Sequence, residues 1–336
     1  MTSACILGCH GPRLNADERD LFASAEPFGL ILFARNIEDP DQVRALVQEF
    51  RAIAGRVDAP VLIDQEGGRV QRLRPPHWPD FPPAEVFGEI HAGDVAAGIE
   101  AARLGARLIA DELAALGINV DCLPVADLRH PDGHGIIGDR AYASDPAAVA
   151  ELAGAAAAGL LEGGVLPVIK HMPGHGRANA DSHEALPVVE TPLEELDRTD
   201  FESFRRLAAL PIAMTAHVVY AAVDCERPAT VSPVVIAEVI RNRIGFAGLL
   251  LTDDLSMKAL QGTLGNRTAA ALAAGCDIAL HCNGRLDEMR EVVAAVPRLQ
   301  GEAARRASAA LGCLKSPGKP FNTAEARGRF SAMIGA

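Results

Sequence analysis

Short apolar runs, each ending in or followed by a polar residue and most then giving way to helical periodicity, recur along the whole of this 336-residue chain. The runs are Cys5 to Leu7, Gly29 to Phe33, Val61 to Ile63, Ile118 to Asp121, Val165 to Ile169, Ile212 to Thr215, Leu249 to Leu251 and Ile278 to Leu280. Continuous apolar runs of this length suit strands covered on both faces, and parallel strands need a long crossover between them, usually a helix. About eight such strands is the number that closes a parallel barrel. The rhythm therefore predicts an α/β fold, a single (β/α)8 TIM-type barrel with irregular strands.

The clearest intervening helix runs from Asp94 to Leu116, where Val95, Ile99, Ala102, Ala106, Ile109, Leu113 and Leu116 recur at intervals of three and four and Gly117 supplies the stop. Four other helix starts share one device. Asp39-Pro40, Asp145-Pro146, Thr191-Pro192 and Ser232-Pro233 each put a capping oxygen before a proline preset for the first turn. No Pro/Ser/Gly-rich linker divides the chain, so one catalytic domain over residues 1–336 is expected, with about 316–336 as a peripheral C-terminal tail. Arg74 to Pro83, rich in proline and holding the only Trp, is expected to be an ordered loop over the barrel.

Charge and cysteine usage narrow the function. With 32 basic against 44 acidic residues the net charge is -12, and no run of Lys and Arg forms a phosphate-tracking stripe, so nucleic acid is not an expected partner. The N-terminus lacks the early positive charge and long apolar stretch of an export signal, and Pro211 to Val223 is too short to cross a bilayer. Seven scattered cysteines form no disulfide framework, which fits a reducing compartment. A cytoplasmic protein with no membrane partner is expected. Cys5, Cys9 and His10 have no fourth partner nearby and are not read as metal ligands.

In a parallel barrel the loops that follow the strands build the active site. Asp64, Lys170, His171, His217 and Asp253 all fall at or just past strand ends, and charges facing a barrel mouth are costly unless something uses them. Cleavage of a glycosidic bond needs a nucleophile for the anomeric carbon and a proton for the leaving oxygen. Thr252-Asp253-Asp254 offers two carboxylates for the first role, which spacing does not separate. The loop from Gly174 to Glu184 offers the second, because Asp181 two residues before His183 can orient the imidazole and support its protonated form. His171, His175, Asp181, His183 and Asp253 would equally serve as ligands of a metal-dependent barrel hydrolase. Gly133 to Gly138 spells a dinucleotide fingerprint, but no strand enters it and no amphipathic helix leaves it; its glycines are read as a loop that carries Arg140 inward.

These residues lie in a longer pattern. Leu32 to Ile37, Ile63 to Arg72, Gly138 to Tyr142, Lys170 to Gly176, Asp181-Ser182-His183 and Thr252 to Met257, in that order, make the chain resemble glycoside hydrolase family 3, and within it the single-domain bacterial β-N-acetylhexosaminidases of peptidoglycan recycling. The resemblance runs from about residue 3 to residue 310. It implies that Asp253 is the nucleophile that forms a covalent glycosyl-enzyme, His183 the proton donor and acceptor, and Asp181 its partner. Asp64, Arg72, Arg140, Lys170 and His171 would hold N-acetylglucosamine, with His217 as a further candidate. Where the family usually has an aromatic residue, a Ser and a Phe, this chain has Met172, Thr252 and Tyr142, which keep bulk or hydroxyl.

The implied reaction is retaining removal of terminal β-linked N-acetylglucosamine from a small-molecule muropeptide, GlcNAc-1,6-anhydroMurNAc, with no cofactor and no metal, by a monomer. Three rivals are kept. A neutral His acid/base would not repel phosphate, which leaves a β-N-acetylglucosaminide phosphorylase open; the metal-dependent hydrolase and an inactive sugar-binding barrel are the others. Because the proposed donor sits on a glycine-bearing loop and the nucleophile on a strand, the loop is expected to close over bound sugar before protonation.

Overall fold

A computed structural model describes residues 2–131, 133, 135–314 and 321–335. Eight parallel strands close on themselves in sequence order: β1 (Ser3–Gly8), β2 (Pro27–Leu32), β3 (Val61–Ile63), β4 (Val120–Asp121), β5 (Leu166–Met172), β6 (Ile212–Thr215), β7 (Leu249–Asp254) and β8 (Ile278–His281), with β8 pairing back onto β1 through Ile6 and Leu280. The predicted α/β TIM-type barrel is the observed fold.

Period-two alternation splits the strand residues between two cores. Ile6, Ile31, Leu62, Val120, Val168, Leu251 and Leu280 fill the interior, together with Ala307 and Ala310 of the helix Gly301–Leu311. Leu7, Leu32, Ile63, Ile169, Leu250 and Ala279 point outward against the helical shell, where they meet residues such as Val43, Leu108 and Val149. Both sets are buried, which is why each strand reads as an unbroken apolar run.

The irregularity foreseen in the strands appears as register shifts between β1 and β2, β5 and β6, and β7 and β8, and as a shortened β4. Only two of its residues are regular strand, but its ladder continues beyond them: the N–H of Val168 donates to Leu123 O, that of Lys170 to Pro124 O, and that of Ala126 to Lys170 O. Two strands run three residues further than their apolar signal, β5 through Lys170, His171 and Met172, and β7 through Thr252, Asp253 and Asp254. In both, the extra residues are chemical ones. They are held by the barrel itself, a placement that hydrophobicity does not report.

The helix expected from Asp94 spans Val95–Ala115, with the Asp94 side chain accepting from Ala97 N at 3.1 Å, and Gly117 ends it at φ +80°. Asp39, Asp145 and Ser232 accept from the first turns that follow them, as read from the sequence. Thr191 does not. Pro192 itself occupies the cap before Leu193–Arg198, and no side chain bonds there. The helix after Ser232-Pro233 is wound wide, as a π-helix over Val235–Arg243.

The Arg74 to Pro83 segment is an ordered loop, as expected. Gln71 fastens it, accepting from Phe81 N at 3.0 Å and donating to Pro79 O at 2.8 Å, and Trp78 and Phe81 are buried beneath it. From the C-terminal segment, Thr323–Ile334 forms a helix whose Phe330 ring lies 6.2 Å from both Phe81 and Phe87, while Thr323 donates to Asp111 at 2.8 Å. No helix among the described residues is long and apolar enough to cross a membrane.

Candidate active site

At the C-terminal ends of the strands opens a cavity of about 330 Å³, lined by Asp64, Arg140, Lys170, His171, His183 and Asp253 among others. The sequence reading thus brings together residues from five separate stretches of chain.

One wall is a chain of buried charges. Lys170, at the end of β5, donates to Asp64 Oδ1 at 2.8 Å and lies 2.7 Å from Glu66 Oε1. Arg140 grips Glu66 through two bonds of 2.8 Å each, the forked geometry that suits a carboxylate. Arg72 closes the row on Asp64 Oδ2 at 3.0 Å. A two-strand hairpin, Gln65–Gly67 with Val70–Gln71, makes this possible. The Gln65 side-chain oxygen accepts from the N–H groups of Arg72 and Leu73, folding Arg72 back over Asp64. Glu66 received no role from the sequence, although it sits in the same motif. Its part depends on Arg140 arriving from a loop more than seventy residues away, and that loop is held by Arg69 donating to the carbonyls of Gly135, Ile136 and Ile137. His134 of the fingerprint-like stretch lies outside the described residues.

A second wall is set by Asp127, fully buried and also missed by the sequence reading. Asp127 Oδ2 is 2.7 Å from His171 Nδ1, and its other oxygen accepts from His175 N at 2.6 Å. A carboxylate on Nδ1 fixes that nitrogen as the donor and leaves Nε2 of His171 to face the cavity. The signal was present in principle, since Asp127 closes the apolar stretch Cys122 to Ala126, but the two regular residues of β4 ended the strand before it.

Asp253 stands opposite, and the structure separates it from its neighbour. Both oxygens of Asp254 are committed, Oδ1 to the N–H groups of Ser256 and Cys282 and Oδ2 to the Ser256 hydroxyl at 2.6 Å. Asp253 accepts one backbone bond, from Asp254 N at 2.8 Å, and lines the cavity. Thr252 ties β7 to β8 by accepting from Leu280 N at 2.9 Å, which anchors the strand directly beneath Asp253. His217 is packed behind, with Nδ1 2.7 Å from the Thr230 hydroxyl and Nε2 2.9 Å from the Asp254 carbonyl oxygen. Both its ring nitrogens are used within the protein, so it has none to offer a sugar.

On the remaining side, His183 Nδ1 lies 2.8 Å from Asp181 Oδ1, which also accepts from His183 N. The imidazole is 57% exposed, at the mouth of the cavity, in contrast to the buried groups facing it.

The electrostatics follow from the packing. Burial alone would raise the pKa of Asp64, but Lys170 and Arg72 more than offset it and hold the carboxyl well below the ordinary range. Glu66 is lowered against burial by Arg140 and Lys170, Asp127 by His171, and Asp253 by His217 and His171. Asp121, beneath them, is raised well above the usual value by burial. A carboxyl whose folded pKa is depressed adds stability that is present above its unfolded value of about 4 and lost as pH falls through the folded one. Asp121 works in the opposite sense at higher pH, and His175, which burial pushes down to about 4, costs stability from its unfolded value of about 6.5 downward. Below about pH 4 Asp121 is protonated in both states and no longer opposes the four lowered carboxyls, so the melting temperature is expected to fall steeply there. A level melting temperature down to pH 3 would contradict it.

Among the described residues, no group of three or more His, Cys, Asp or Glu side chains is placed to hold a metal ion. The metal-ligand reading of His171, His175, Asp181, His183 and Asp253 therefore gains no geometric support among the described residues.

Residues 5–310 match the glycosyl hydrolase family 3 N-terminal domain. A β-hexosaminidase of Pseudomonas aeruginosa (strain LESB58) is 41% identical over 296 residues, covering 85% of this chain and 84% of that protein. A β-hexosaminidase of Methylococcus capsulatus is 42% identical over 277 residues, covering 81% and 80%. Among solved structures, NagZ from Neisseria gonorrhoeae in complex with N-trifluoroacetyl-D-glucosamine superposes with a TM-score of 0.88 at 31% identity, covering 100% of this chain and 99% of that one.

Proposed function

This chain belongs to glycosyl hydrolase family 3 and is a β-N-acetylhexosaminidase, and from that premise we propose that it removes terminal β-linked N-acetylglucosamine with retention, by double displacement on Asp253. The observation that carries the reading is the pairing of one strand-held, ionised, largely uncommitted carboxylate with a mouth-side Asp–His pair in the same cavity. Asp253 attacks the anomeric carbon while His183 gives its proton to the leaving oxygen; His183 then takes a proton from the water that opens the glycosyl-enzyme. Asp181 holds Nδ1 and leaves Nε2 for this work. Asp64, Arg72, Arg140, Lys170 and the Nε2 of His171 hold the hydroxyl and acetamido groups. The loop bearing His183 closes over the bound sugar before the first proton transfer.

The substrate in this reading is GlcNAc-1,6-anhydroMurNAc, with or without its peptide. The enzyme acts as a monomer in the cytoplasm, in cell-wall recycling. All seven cysteines are free thiols and five are buried, which suits a reducing compartment.

Proton NMR of the earliest product, from an aryl β-N-acetylglucosaminide with and without phosphate, tests the reaction class. The β-anomer of free N-acetylglucosamine is expected first under both conditions. An initial α-anomer would overturn double displacement, and a phosphate-dependent sugar 1-phosphate would favour phosphorolysis.

A further inference from the structure

Between the two members of the Asp181/His183 pair lies a side chain with the opposite environment. Ser182 is 3% exposed, whereas the His183 side chain beside it is 57% exposed. Its hydroxyl sits 3.4 Å from His175 Nε2 and 3.8 Å from Met257 Sδ, and its carbonyl accepts from Ala259 N at 3.1 Å. A serine hydroxyl has one proton to give and two lone pairs to receive with, and a thioether sulfur only accepts. Both contacts are met in one way: His175 donates from Nε2 to Ser182, and Ser182 donates to Met257. His175 Nδ1 is then a bare acceptor, and that buried atom has no hydrogen-bond partner. Burial, with His171 beside it, pushes the His175 pKa down to about 4, so the ring is the neutral, single-donor form that this arrangement needs.

The seat is built from the stretches that follow the two strands holding the sugar-binding pair Lys170 and His171 and the nucleophile. His175 follows β5 and is tied by its N–H to Asp127, the residue that also holds His171, and its ring packs edge-on to His171 at 5.6 Å. Met257 follows β7, its N–H donating to the Asp254 carbonyl at 3.1 Å, one residue from Asp253. Whatever fixes Ser182 therefore fixes the loop against both the sugar-binding wall and the nucleophile.

We infer that Ser182 is a positioning residue for the proton donor: seated between His175 and Met257, it holds the Asp181/His183 pair in register with Asp253. This rests on the assignment of His183 as acid/base. A residue acting only through proton donation must share the dependence of that step on the leaving group, which a general loss of structure would not reproduce.

The test is Ser182→Ala, measured on an alkyl and on a dinitrophenyl β-N-acetylglucosaminide, alone and combined with His183→Ala. The alkyl substrate should lose about tenfold or more in kcat/KM, because misplacement of a catalytic group by a fraction of an ångström to one ångström costs up to about a hundredfold. The dinitrophenyl substrate should lose less than about threefold in kcat/KM, which reads the first step alone, and the double variant should be no slower than His183→Ala alone. Equal losses on both substrates, or losses that multiply in the double variant, would overturn the inference. If His183→Ala shows leaving-group dependence and Ser182→Ala does not, only the seat is wrong. If His183→Ala shows none, the acid/base assignment falls first and the role of Ser182 with it.

Discussion

Asp253→Ala is expected to lower turnover of an aryl β-N-acetylglucosaminide by about three or more orders of magnitude while leaving the fold intact. The size of the effect follows from the missing bond. Without the carboxylate no glycosyl-enzyme forms, and tighter sugar binding does not supply the lost covalent path. The fold should survive because Asp253 accepts a single backbone bond. Asp254→Ala makes the contrast: that side chain takes three bonds, from Ser256 and from Cys282, so its loss should show first as a lower melting temperature. Added azide, small enough to enter the space left by the carboxylate, should restore part of the Asp253→Ala turnover and yield the α-glycosyl azide. A loss below about tenfold would remove Asp253 from the nucleophile's role.

The second large effect is expected at His183. His183→Ala should cost about two to four orders of magnitude in kcat on a disaccharide or alkyl glycoside, the range general acid catalysis supplies. On a dinitrophenyl glycoside, whose leaving group departs with little protonation, the loss in the first step should be far smaller. Accumulation of glycosyl-enzyme should then appear as a burst, because the second step loses its base. The imidazole is exposed and, among the described residues, bonded only to Asp181, so the melting temperature should not move. Equal damage to both substrate types would remove His183 from proton transfer. Asp181→Asn should give a milder form of the same pattern, since it weakens the orientation of the ring and leaves the ring in place.

Much of the fold is legible in the sequence, and the reasons are local. The apolar runs located all eight strands because residues on both strand faces are buried, so composition and position coincide. Asp39 and Asp145 declared helix starts because capping is a short-range bond. The failures share a cause. Thr191 has the composition of a cap, yet the chain enters that helix at a different residue. Glu66 and Asp127 act through partners 74 and 44 residues distant in sequence, and nothing near them in the chain announces those partners. His217 looked like the other strand-end residues, but Thr230 and the Asp254 carbonyl claim its ring. Asp253 and Asp254 are alike by spacing and differ only in which one the following turn consumes.

The proposed nucleophile, Asp253, belongs to the barrel wall, while the proposed proton donor, His183, belongs to a surface loop with its own small anchorage. Lineages that vary that loop can therefore retune which leaving groups are accepted without disturbing how the sugar is gripped. The same division gives an engineer two nearly independent dials, one for the glycone and one for the bond to be broken.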